Sequence, residues 1–68
     1  MAICYKKLWK LLIDKNLKKK HLLENAGISR TTLTRLNHDE HISTESVMKI
    51  CTALNCTADD IMEFVEDK

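Results

Sequence analysis

Between Leu17 and Leu36 the chain reads LKKKHLLENAGISRTTLTRL, which gathers side chains suited to meeting a polyanion. Lys18, Lys19 and Lys20 place three ammonium groups in succession. Cations at a helix start oppose the helix dipole, a local penalty that approaching phosphates would reverse. Arg30 offers a planar fork that can donate two bonds to a guanine edge. Thr31 and Thr34 carry short groups that can bond base edges or touch a thymine methyl. Ser29, with the first free N–H groups of the helix it opens, can hold a phosphate. A helix entering a groove ~12 Å wide needs such short or flexible polar side chains at its outward N-terminal face.

Those side chains need two helices and a tight turn to position them. Leu22 and Ala26 mark the inward face of a helix over about Lys18 to Ala26. Gly27, the single glycine, follows at the place of a left-handed helix stop. Ser29 is the expected N-cap of the next helix, with Thr32 aiding the cap. Leu33 and Leu36 of that helix point inward, and Arg30, Thr31, Thr32, Thr34, Arg35 and Asn37 point outward. Apolar residues recur at helical spacing elsewhere too. They predict a first helix from about Tyr5 to Lys15, closed by Asn16. A fourth spans about Thr44 to Leu54, capped by Ser43, with core positions Val47, Ile50, Cys51 and Leu54. A fifth spans Ala58 to about Val65, opened by Thr57 and Asp60. His38 to Ile42 form a polar loop, and Glu66 to Lys68 fray. The fold class is therefore all-α, a compact five-helix bundle in a single domain over 1–68, with a helix-turn-helix at about 18–37.

The chain here resembles the Cro/phage-repressor (XRE-like) family of DNA-binding domains. The resemblance is carried in order by Leu17, Leu22, Gly27, Ile28, Ser29, Thr31, Leu33, Thr34 and Leu36. It extends through the stretch from Ser43 to IMEF, so it covers about Tyr5 to Phe64. It implies a lambda-repressor-like fold whose third helix, about Arg30 to Asn37, enters the major groove of double-stranded DNA. By position it implies base reading by Arg30, Thr31 and Thr34. It implies phosphate contact by Lys19, which stands where a glutamine is frequent. Arg35, Asn37 and His38 lie where backbone contacts are usual. The family usually reads paired half-sites, which makes a homodimer a candidate assembly. Leu23 stands in place of a small alanine at the helix crossing, and Leu12 in place of a frequent arginine. Asn37 and Asp39 stand in place of a common Glu and Gly.

Composition sets the limits. Sixty-eight residues leave little room for a catalytic cleft, and a formal charge of +1 argues at first sight against a nucleic-acid partner. The distribution reverses that argument. From Met1 to His38 nine basic residues face two acids, a net of +7; from Asp39 to Lys68 two face eight, a net of −6. The basic half holds the helix-turn-helix, as phosphate binding requires. Cys4, Cys51 and Cys56 form no paired framework, which fits a reducing, cytoplasmic setting. Cys51 and Cys56 read as small buried hydrophobes. A metal set of His38, His41, Cys51 and Cys56 has no standard spacing, so no metal or cofactor is expected. Nucleophile elbow, phosphate loop and HExxH are absent, so an enzyme is not expected. Neither a membrane span nor a small-molecule ligand is expected.

Tyr5, Trp9, Leu12 and Ile13 make the first helix apolar around more than half its circumference. Packing on Met62, Phe64 and Val65 of the last helix is the expected use of that face. A self-association face or an amphipathic anchor using Lys6, Lys7 and Lys10 are the alternatives. The expected function is a sequence-specific transcriptional regulator, a repressor. The rival is a protein-interaction or antitoxin-like module whose acidic half binds a partner protein.

Overall fold

The computed structural model describes residues 1–66. Strand β1 (Ala2–Cys4) leads into helix α1 (Lys6–Asp14). A π-helical segment (Leu22–Ala26) and helix α2 (Arg30–Asn37) follow. Helix α3 (Thr44–Leu54), a 3-10 turn (Ala58–Asp60) and strand β2 (Glu63–Val65) complete the order. Two of the expected boundaries fall as read. Ser29 caps α2 by accepting the Thr32 N–H at 3.1 Å, and Ser43 caps α3 by accepting the Ser46 N–H at 3.1 Å.

All three α-helices stop in the same way. Asn16, Asp39 and Asn55 sit in the left-handed region at φ 59°, 54° and 53°. In each case the next residue's N–H reaches back to a carbonyl five residues earlier. Leu17 donates to the Leu12 carbonyl at 2.8 Å, Glu40 to Arg35 at 2.8 Å and Cys56 to Cys51 at 3.0 Å. This is the Schellman stop, which satisfies carbonyls a helix end leaves open. Asn and Asp tolerate the left-handed conformation better than other residues with a Cβ. Gly27, at φ 73°, takes the left-handed position after the π-helical segment.

The all-α expectation fails at both ends of the chain. The capping box of Thr57 and Asp60 forms, but the helix it opens lasts only over Ala58–Asp60. Glu63–Val65 turns into a strand antiparallel to β1, with Ala2 opposite Val65, Ile3 opposite Phe64 and Cys4 opposite Glu63. The chain is therefore mostly helical with a small two-stranded sheet. An eight-residue helix is marginal without packing, and β1 offers the backbone partners that the helix would have to supply itself. The second helix also differs. Its second half, Leu22–Ala26, is a wider π turn, and Leu23 lies half-buried within it. Residues 67 and 68 of the expected frayed end lie outside the described residues.

The core lies between β1, α1, the π-helical segment, α2 and α3, closed by Ile61 after the 3-10 turn. Tyr5, Leu8, Leu22, Leu36, Ile50 and Ile61 are fully buried, joined by Ile3, Leu12, Ile28 and Leu54. Among the described residues the core holds no buried charged side chain. The expected burial of Ile13 against Phe64 and Val65 does not occur. Ile13 is 75% exposed and Phe64 59%, because Phe64 belongs to the strand and not to a helix face.

Candidate nucleic-acid interface

Helix α2 presents the expected face. Arg30, Thr31, Thr34, Arg35 and Asn37 are exposed, Thr32 and Leu33 are half-buried, and Leu36 is fully buried. The turn that aims this helix is built from Gly27, then Ile28 buried as its anchor, then Ser29. A Cβ on Gly27 would meet nothing within 4 Å, so glycine is required there for its left-handed backbone and not for space. Helix α3 packs across the π-helical segment and sets the base on which the turn rests.

Hydrogen bonds fix some of the candidate groups in advance. The Ser29 hydroxyl lies 3.0 Å from that of Thr32 while accepting the Thr32 N–H, so its oxygen is committed to the cap. The Thr34 hydroxyl donates to the Arg30 carbonyl at 3.0 Å, which ties that side chain to its own helix. Lys19 Nζ donates to Asn37 Oδ1 at 2.7 Å, bringing together two residues read from separate stretches. The same ammonium sits 4.3 Å from the centre of the Trp9 ring. Lys18, Lys20, Arg30 and Arg35 point outward without an acidic partner among the described residues. The ion pairs Lys7–Glu63 at 3.8 Å and Lys49–Glu45 at 3.6 Å involve other cations. The site thus leaves its cations uncompensated, the condition for releasing counterions when phosphates dock.

Several supporting residues carried no clear local signal. His21 Nδ1 accepts the Lys18 N–H at 2.9 Å, a side-chain cap on the start of the lysine run. Tyr5 and Asp39 hold the loop that leaves α2. Asp39 Oδ1 accepts the Tyr5 N–H at 3.1 Å, and the Tyr5 hydroxyl donates to the Glu40 carbonyl at 2.7 Å. Asp39 showed itself as an Asp in a glycine position; Tyr5 looked only like another apolar helix residue. Burial, and then the charge of Asp39, raise the Tyr5 pKa above its ordinary value. His38 is exposed at the α2 C-cap, where its own N–H bonds the Thr34 and Arg35 carbonyls.

The cysteine and metal alternatives also receive geometry. Cys51 and Cys56 are half-buried at the α3 stop, and burial with the neighbouring Cys51 pushes the Cys56 thiol up to about 11. His38, His41 and the cysteines do not come together as a metal-binding group among the described residues. No helix of the described residues is long and apolar enough to cross a membrane.

A family profile described as Cro/C1-type HTH DNA-binding domain matches residues 7–67. The fold is similar to the crystal structure of transcriptional regulator VanUg, Form II. That similarity has a TM-score of 0.93 at 41% identity, covering 97% of this chain and 88% of the other. No curated protein matches the chain significantly. The profile match spans nearly every residue that builds the helix-turn-helix and its support, and on it the chain belongs to the Cro/C1-type helix-turn-helix DNA-binding domain family, a DNA-binding and not a catalytic one.

Proposed function

We propose that this chain is a sequence-specific transcriptional regulator that acts as a repressor, read as a single domain over 1–68. Helix α2 enters the major groove, and Arg30, Thr31 and Thr34 read base edges. Lys18, Lys19, Lys20, Ser29, Arg35, Asn37 and His38 contact phosphates along the two flanking strands. Ser29 does so through its backbone and hydroxyl hydrogen, since its oxygen serves the cap. Repression needs only occupancy of an operator, and two copies on paired half-sites would supply the affinity that one short helix lacks.

The observation that carries this reading is α2 itself: a capped, outward-facing helix bearing Arg30, Thr31 and Thr34, flanked by cations that no acidic side chain among the described residues pairs with. A mobility shift against fragments of the source genome over a salt series tests it. Affinity should fall steeply with salt, by about 0.9 log unit per log unit for each phosphate engaged. Arg30→Ala should relax preference at one base pair by about 1–3 kcal/mol. A uniform loss on all sequences would make Arg30 a phosphate contact, and no binding to any fragment at low salt would remove the regulator reading.

A further inference from the structure

Trp9 is the only tryptophan, and its ring borders an open apolar groove of about 270 Å³ lined with Leu12, Ile13, Leu17, Lys18 and Lys19. It is half-buried. The Lys19 ammonium sits over that ring at 4.3 Å while donating to Asn37 at 2.7 Å. Three separate elements therefore meet at one cation. Trp9 comes from α1, Lys19 from the approach to the π-helical segment, and Asn37 from the last residue of α2.

We propose that Trp9 is a positioning residue for DNA binding, holding the Lys19 ammonium in advance where a backbone phosphate can take it. The proposal rests on the DNA-binding reading above. A free lysine loses much rotamer freedom when it grips a phosphate. Here the ring and the Asn37 oxygen have already removed that freedom. A cation over an aromatic face is attracted by the ring quadrupole. An ammonium has three N–H donors. Asn37 takes one, and the ring accepts no conventional hydrogen bond, so N–H groups remain for an anion. Because Asn37 ends α2, the held ammonium also ties the recognition helix to α1, so the phosphate contact fixes that helix's register on the duplex.

The single tryptophan makes the arrangement directly visible. The chain and its Trp9→Leu, Lys19→Gln and doubly substituted forms are titrated with one bound genomic fragment between about 50 and 200 mM salt. Trp9→Leu should weaken binding roughly two- to fivefold. Lys19→Gln should lower the salt slope by about 0.9. Adding Trp9→Leu to Lys19→Gln should cost nothing more, because the ring then has no cation to hold. Trp9→Phe should recover part of the loss, and it serves as the test form if Trp9→Leu melts below the assay temperature. In the wild type, Trp9 emission should shift on adding DNA, and without DNA it should differ between wild type and Lys19→Gln. Equal losses from Trp9→Leu in both backgrounds would show a structural role and overturn the proposal, as would unchanged affinity. Failure of the wild type to bind any fragment would instead remove the DNA reading and this proposal together.

Discussion

At the residue scale, one buried side chain governs the exit of helix α2. Tyr5 is fully buried; its backbone N–H bonds Asp39 at the α2 stop, and its hydroxyl bonds the carbonyl of Glu40 just after it. Tyr5→Phe should cost about 1 kcal/mol, a fall in Tm of about 4–8 °C for a domain of this size. Thermal unfolding followed by far-ultraviolet circular dichroism measures it; an unchanged Tm would show that solvent replaces the lost bond. Two raised pKa values also predict an alkaline weakness. Cys56 titrates from 9.0 to about 11 on folding, and Tyr5 rises above 10.0. The unfolded chain therefore gives up these protons first, so stability is full below pH 9.0 and declines as pH rises toward about 11. Urea midpoints across that window should fall, and Cys56→Ala should flatten the first part of the decline. The sequence showed every one of these residues but not their pairing. Tyr5 and Asp39 are 34 positions apart, and nothing in local spacing reports a bond at that distance.

At the element scale, stops were more legible than continuations. Asn16, Gly27, Ser29, Ser43 and Thr57 lie at boundaries in the structure because their side chains or backbones satisfy helix-end groups locally. The last element was misread for a related reason. The run IMEFV fits an apolar helix face or a strand equally well, and the residues that decided between them, Ala2 to Cys4, stand at the other end of the sequence. The shared Schellman stop gives a sharp test. Asn55→Ala should destabilise by roughly 1 kcal/mol, because alanine pays more for a left-handed backbone. Asn55→Gly should be neutral or stabilising. Equal destabilisation by both substitutions in chemical unfolding would mean that the amide side chain, not the backbone angle, matters at this stop.

At the scale of the whole molecule, +1 conceals two opposed halves. The acids do not act only at a distance, since Asp39 turns its carboxylate onto the Tyr5 N–H beside α2. Neutralising the exposed Glu45 and Asp59 as Gln and Asn should raise affinity for random-sequence DNA a few-fold at low salt, with the gain vanishing as salt screens it. A gain that persists at high salt would point to a changed contact and not to long-range repulsion. The two-stranded sheet bears on time as well as on stability. Its three residue pairs join nearly opposite ends of the described chain, so its closure must overcome the entropy of the largest loop in the molecule. The helices and their stops are local and should assemble first, leaving the sheet open at the folding barrier. Weakening it with Ile3→Ala should therefore speed unfolding while leaving the folding rate nearly unchanged in stopped-flow measurements. The sheet would then govern how long the folded domain persists, and the helix-turn-helix how quickly it forms.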